Sequence, residues 1–276
     1  MSAIVALVSD THIGGLTSLS LPTWECDTGE VHEDGTPITQ TYTATLAQNW
    51  IYDKWLDFWG YVAELAGRKH RVIAIHLGDI LEGNHHRTVQ AMPNLGDQVG
   101  MAIEIMRPIA NLCSRTKGLL YFIRGTEAHA GEAAQSEVGV AKALGAPCSW
   151  EAILDIDGVI VDVAHHGRAG RRDWTSAAAG MVTEAIMDAA TDRPPRQPPN
   201  YVFRAHNHIC DDSGLKNATT RAIAMPAWTL RGAFGYRAAS GRRSDIGGVI
   251  ILPDGSLDLS RLRYWAAPGQ RRIQKL

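Results

Sequence analysis

Closely spaced cysteines are missing from this chain. Cys26, Cys113, Cys148 and Cys210 lie far apart and form no C-x-x-C unit. That excludes a thiolate zinc knuckle and a dense disulfide framework, and it fits a reducing, cytoplasmic setting. Long apolar runs are missing too: none approaches the ~18 residues that suggest a membrane span, so no membrane partner is expected. The apolar run Ile4 to Val8 has no basic stretch before it and no small-residue cleavage site after it, so no secretion signal is expected. No internal repeat is present, and the only compositionally biased tract is a connector carrying Pro194, Pro195, Pro198 and Pro199. An excess of one charge is also absent. The formal net charge is −2, which argues against a generic nucleic-acid coat.

With 45% hydrophobic residues over 276 positions, the chain can bury a full-sized core, and a single domain spanning 1–276 is expected. The near-neutral total hides a division. Residues 1–160 hold 10 Lys/Arg against 19 Asp/Glu, a balance of −9, whereas residues 161–276 hold 17 against 10, a balance of +7. An acidic half suited to cations thus meets a basic half suited to an anion, although uneven surface charge gives the same counts.

The run 3–8 (AIVALV) reads as a buried parallel-sheet strand because it is short, apolar and rich in β-branched residues. Residues 14–41, rich in Gly, Thr, Pro and Ser, read as a long loop insertion. Helical spacing returns over 44–66, where Trp50, Trp55, Phe58, Trp59 and Val62 mark a face to pack on a sheet. Strands are predicted at 71–77, 118–123 and 201–205, and helices at 97–115, 131–144 and 174–190. A hairpin is predicted from 150–156 and 158–164 around Asp157-Gly158. A β-rich C-terminal part, 210–276, holds further strands at about 221–230, 246–252 and 256–263. Alternating α and β elements followed by hairpins predict an α/β layered fold, with ligands beyond the carboxyl ends of the strands.

Polar residues gather at those ends. Successive strands run into Asp10-Thr11-His12, Gly78-Asp79, Gly125-Thr126-Glu127-Ala128-His129, His165-His166-Gly167 and His206-Asn207-His208. Imidazole and carboxylate donors together suit Zn²⁺, Mn²⁺, Fe or Co, whereas Mg²⁺ and Ca²⁺ are served by oxygen alone. In order and spacing, over about residues 1–210, the set resembles the calcineurin-like metallophosphoesterases, whose pattern is D-x-H, G-D, G-N-H-[DE], a lone His, then G-H-x-H.

The resemblance implies a four-layer α/β/β/α sandwich of the metallo-dependent phosphatase type. It implies a hydrolase acting on a phosphomonoester or phosphodiester, with two divalent metal ions (Mn, Fe, Zn or Co, with Mn expected to support activity). By the family's assignments Asp10, His12 and His208 hold one ion, Asp79 bridges both, and His206 with a histidine of the 165–166 pair holds the other. Two such ions lower the pKa of a shared water for in-line attack on phosphorus, so no protein nucleophile is required.

The third motif departs from the family. Glu127 is expected to replace the Asn ligand, with His129 as phosphate contact or general acid; the alternative puts Thr126 in the Asn position and Glu127 behind it. Gly83-Asn84-His85-His86 spells the motif but begins only four residues after Asp79, so His85 and His86 are candidates for substrate contact or exposed loop residues. Because neighbouring strand residues point to opposite faces, only one of His165 and His166 is expected to reach the metals, with His166 favoured. Arg168 is a candidate catalytic phosphate contact, with Arg171 and Arg172 beside it and Arg237, Arg242 and Arg243 as a second group. The altered third motif looks like that of members found in bacteriophage and prophage genomes. Two further readings stay open: a nuclease acting on DNA or RNA with the same centre, and a catalytically degenerate interaction protein.

Overall fold

The computed structural model describes residues 1–84, 89–130, 135–167, 177–214, 219–231 and 244–264. Its first sheet has the order β13-β12-β1-β4-β5-β6, formed by β1 (Ala3–Val8), β4 (Arg71–His76), β5 (Leu119–Ile123), β6 (Cys148–Ser149), β12 (Val249–Ile251) and β13 (Leu257–Asp258). Strands β1, β4, β5 and β6 run parallel, while β12 pairs antiparallel with β1. The second sheet has the order β10-β11-β9-β8-β7, from β7 (Glu151–Ile156), β8 (Val159–Ala164), β9 (Tyr201–Arg204), β10 (Asp211–Asp212) and β11 (Arg221–Ala224).

Strand β1 is buried along its whole length, which is why its sequence is apolar without alternation. Its residues nevertheless divide by face. Ile4, Ala6 and Val8 join the core beneath α1 (Leu46–Ala66), α2 (Leu95–Arg115) and α4 (Gln135–Ala143), while Ala3, Val5 and Leu7 face Val161, Val163, Phe203 and Ile223 of the second sheet. A third, smaller core lies between α5 (Ala177–Thr191) and the second sheet, where Ala178, Met181 and Ala185 meet Val202, Ala222 and Ala224.

Helix α1 begins at a capping box, in which Thr45 Oγ1 accepts from the Gln48 amide and the Thr45 amide donates to Gln48 Oε1. Its tryptophan face packs inward as the spacing predicts. Trp55, Phe58, Trp59 and Val62 are buried, and Trp50 is partly so. Trp228 completes this aromatic cluster edge-on against Trp55, with centroids 4.9 Å apart.

Residues 14–41 are not the long loop their composition suggests. Strands β2 (Thr23–Val31) and β3 (Pro37–Thr43) form a two-stranded hairpin, with Trp24 opposite Tyr42 and Cys26 opposite Gln40. Threonine favours strands even in polar surroundings, and the alternation of Trp24, Cys26 and Tyr42 toward the core is the period-2 signal that the Gly and Pro content obscured. An isolated pair is marginal in water. This one is anchored by the Trp24 ring against Gly100 and by its Nε1 donating to Asp97.

The turn of the β7–β8 hairpin places Asp157 and Gly158 at φ 54° and 88°, the left-handed pair that a two-residue connection requires. The C-terminal strands are shorter than predicted, because after Ala224 the chain leaves the sheet and passes across the strand ends, where the Trp228 amide donates to the Asp10 carbonyl at 3.0 Å. Trp228 therefore joins the core to the strand exit that carries Asp10. Its indole Nε1 has no hydrogen-bond partner among the described residues, so truncation forfeits packing alone. We expect Trp228→Ala to lose about 3–5 kcal/mol in urea denaturation; a loss below about 1 kcal/mol would contradict this placement.

Candidate metal centre

Strands β1, β4 and β5 of the first sheet and β8 and β9 of the second all end at one edge. The first two exits run side by side: the amides of Asp10, His12 and Ile13 donate to the carbonyls of Gly78, Asp79 and Ile80 at 3.0, 3.0 and 2.8 Å. The sheets are tied together at the same edge. His165 Nδ1 donates to the Leu77 carbonyl at 2.6 Å, and the His206 amide donates to Asp10 Oδ2 at 3.3 Å.

The backbone at these exits is unusual. Asp10, His12, Asp79, His206 and His208 have φ of 51°, 44°, 53°, 70° and 56°, and only Lys117 and Asp157 join them among described non-glycine residues with positive φ. A left-handed conformation costs a residue with a Cβ about 1–2 kcal/mol. Strain of this kind persists where the surroundings over-determine it, and it clusters at functional sites.

Those surroundings are visible. His76 is buried and accepts from the Gly78 amide at Nδ1, so its Nε2–H donates to Thr11 Oγ1 at 3.2 Å, and Thr11 in turn donates to the Ile80 carbonyl at 2.9 Å. Burial pushes the His76 pKa down to about 3, which keeps this brace neutral. On the other side Glu137 of α4, fully buried, accepts from the amides of Ile80 and Gly125 and so links the β4 and β5 exits. Burial, with the nearby Asp79 charge, pushes its pKa up to about 7. Gly125 allows the close approach: a Cβ there would strike the Asp79 carboxylate and amide.

Two adjoining nests of donor atoms result. In one, the Nε2 of His208 lies 3.2 Å from both Asp10 Oδ1 and His12 Nε2, and His12 Nε2 lies 3.9 Å from Asp79 Oδ2. In the other, Asp79 Oδ2 lies 3.1 Å from His165 Nε2 and 3.2 Å from Thr126 Oγ1, which is itself 3.2 Å from His206 Nδ1. Asp79 belongs to both. Four groups of three have their ligand atoms within 4.8 Å of one another: Asp10-His12-His208, His12-Asp79-His129, Asp10-Asp79-His165 and His165-His166-His206.

The donors fit divalent cations on three counts. A cation held at about 2.0–2.2 Å spaces its ligands about 3.0–3.5 Å apart, the separation found along most of these edges. Asp10 Oδ1 is buried and accepts no hydrogen bond among the described residues. Finally, the imidazoles are preset: His12 Nδ1 faces Glu82 Oε2 at 3.2 Å, His165 Nδ1 donates to Leu77 O, and His129 Nδ1 donates to Glu82 O at 2.8 Å. The two hydrogen bonds, and the Glu82 carboxylate facing His12 Nδ1, turn the Nε2 atoms inward, as metal-binding histidines require.

Several sequence expectations are changed. Glu127 stands exposed at the start of the short helix α3 (Glu127–Ala130) and belongs to none of these groups. The Thr126 amide donates to Asp79 Oδ1 at 2.6 Å, which turns the Thr126 hydroxyl into the site and leaves the following residue to face solvent. His165 and His166 both reach the site, because β8 ends at Ala164 and strand alternation no longer applies beyond it. His129 lies inside the cluster, with its Nε2 3.9 Å from Asp79 Oδ2. Glu82, Glu137 and His76 were missed, since nothing in their local sequence marks them. The candidates His85, His86, Arg168, Arg171, Arg172, Arg237, Arg242 and Arg243 lie outside the described residues.

No family model matches this chain, and no curated protein matches it. Among solved structures it is similar to an archaeal phosphodiesterase at 10% identity over 92% of this chain and 97% of that one, with a TM-score of 0.42. It is also similar to a Thermotoga maritima protein solved by NMR, at 12% identity over 93% and 96% of the two chains and a TM-score of 0.36. A third match is the Thermus thermophilus sulfate thiohydrolase SoxB, at 9% identity over 83% of this chain and 52% of that one, with a TM-score of 0.38. These likenesses are distant, and the chemistry of the site stands on its own side chains.

Charge within the site is balanced by protons. Burial disfavours the charged forms of His12 and His165, but Glu82 beside the first and Asp79 beside the second outweigh it and raise both pKa values to about 9. Burial opposes the charges of Asp10 and Asp79 also, yet neighbouring imidazolium charge holds both carboxyls well below the usual range. A cation needs neutral imidazole, so below pH 9 binding must displace protons from His12 and His165, and above it need not. The apparent affinity for Mn²⁺ should therefore climb between pH 6.5 and 8.5, by up to about tenfold per unit for each proton released. Calorimetry in buffers of different ionisation enthalpy measures this; a pH-independent affinity without proton release would contradict it.

Proposed function

We propose that this protein is a metal-dependent phosphoester hydrolase of the calcineurin-like metallophosphoesterase type, with two divalent cations held side by side. The observation that carries the reading is the pair of donor nests sharing Asp79, each with neutral or neutralisable imidazoles turned inward. The three stacked cores, from α1, α2 and α4 through the two sheets to α5, support the four-layer α/β/β/α sandwich that such an enzyme uses.

Asp10, His12, His208 and Asp79 would hold one ion, and Asp79, His165 and His206 the other. Bound there, such cations would lower the pKa of water and neutralise charge on phosphoryl oxygens. The chain's own residues do the rest. Asp79, gripped through Oδ1 by the Thr126 amide, is fixed in rotation and presents Oδ2 to both nests. His129 is partly exposed with Nε2 near Asp79, and because its Nδ1–H is committed to Glu82 O, it can donate a proton at Nε2 only as imidazolium. It therefore suits contact with an anionic phosphoryl oxygen, or protonation of the leaving oxygen in its charged form. Arg168, three residues after His165 and two after His166, is a candidate phosphate contact on its sequence position.

Trp55 and Trp59 are core residues, so they are unavailable to stack on the bases of a nucleic-acid substrate. The degenerate reading is opposed by the number of converging donors. With Mn²⁺, Co²⁺ or Zn²⁺ and a chromogenic phosphodiester or phosphomonoester, we expect turnover that falls by two or more orders of magnitude in Asp79→Asn, on the scale of losing one principal charge-stabilising group. Equal rates for both proteins would remove the enzymatic reading.

A further inference from the structure

Thr126 leaves the second nest poor in donors. A neutral hydroxyl is the weakest group around it, and Glu127, the carboxylate next along the chain, points to solvent. What stands there instead is a third imidazole. The ring of His166 packs 4.6 Å from that of His206 and 4.8 Å from that of His165, and the three ligand nitrogens lie within 4.8 Å of one another.

The backbone is shaped for this arrangement. Beyond Ala164 the chain crosses Arg204, whose guanidinium is held in a buried ion pair with Asp162 at 2.8 Å. A Cβ at Gly167 would meet Arg204 Cγ at 2.6 Å, so only glycine lets the chain lie this close as it turns past His206. The turn brings His166 beside His165 on the same side, where a continued strand would have separated them.

We infer that His165 and His166 serve the same cation, giving the second nest three imidazole nitrogens and the shared Asp79 carboxylate. This inference rests on the metal-centre reading above and departs from the single histidine that the family pattern supplies. Nitrogen-rich sets suit Zn²⁺, Co²⁺ and Fe²⁺, whereas oxygen donors suit Mn²⁺ and Mg²⁺. The two nests therefore differ in kind: the first has two carboxylates and two imidazoles, the second one carboxylate and three imidazoles.

The test combines metal counting with Co²⁺ spectroscopy on the full chain. Wild-type protein should bind two Co²⁺, and His166→Ala, whose site is exposed and whose fold can be checked by circular dichroism, should bind the second more weakly by over about tenfold, the loss that follows even from removing a ligand's supporting partner. The visible Co²⁺ bands of the second ion should shift or vanish. Thr126→Asn added to His166→Ala supplies an amide oxygen instead; it should restore two-ion binding with the Zn²⁺-over-Mn²⁺ preference reduced relative to wild type. If His166→Ala binds two ions with unchanged affinity and spectrum, and only KM for substrate moves, then His166 contacts the phosphoryl group and the inference is overturned. If wild-type protein binds no ions, the metal-centre reading fails with it.

Discussion

Asp79 is almost wholly withdrawn from water, and its two oxygens meet the Thr126 amide, the Thr126 hydroxyl, His165, His12 and His129. A buried carboxylate needs compensating charge at close range. Here the compensation comes from histidines delivered by β1 and β5 of the first sheet and β8 of the second. The two sheets therefore have to end together at this edge, because a shift of either would leave the carboxylate unpaired. Imidazolium charge at His12 and His165 offsets the carboxylate, and we propose that cations take over that role.

The same demand explains the bracing. Turning Asp and His from the ends of straight strands into one small volume bends the backbone into the left-handed region at five positions, with a combined cost of several kcal/mol. His76 with Thr11, and Glu137 with the amides of Ile80 and Gly125, hold the strained loops against relaxation. These braces are buried and polar, and each lies one layer behind the residues that face the open site. Rigidity of this kind is what preorganised donors require.

Much of this was legible in the sequence. Apolar runs ending in Asp or His located β1, β4, β8 and β9, the apolar run before Gly125 located β5, and the ordered polar exits located the edge where they meet. Other features were not legible, for physical reasons. The choice between Thr126 and Glu127 depends on one amide hydrogen bond to Asp79, which no local pattern encodes. Alternation separated His165 from His166 only on the assumption that β8 continued, and it stops one residue too soon. Glu137 looked like an ordinary helix residue because its partners are backbone amides 12 and 57 positions away. The β2–β3 hairpin was hidden by a composition that reads as loop, although its core-facing residues alternate.

Anomalous X-ray diffraction from crystals soaked in Co²⁺ or Zn²⁺ addresses the central claim directly. The account predicts two peaks roughly 3.5–4 Å apart, the usual spacing of a dinuclear hydrolase centre, with Asp79 between them. A single peak away from Asp79, or no peak at the strand ends in fully soaked crystals, would contradict it.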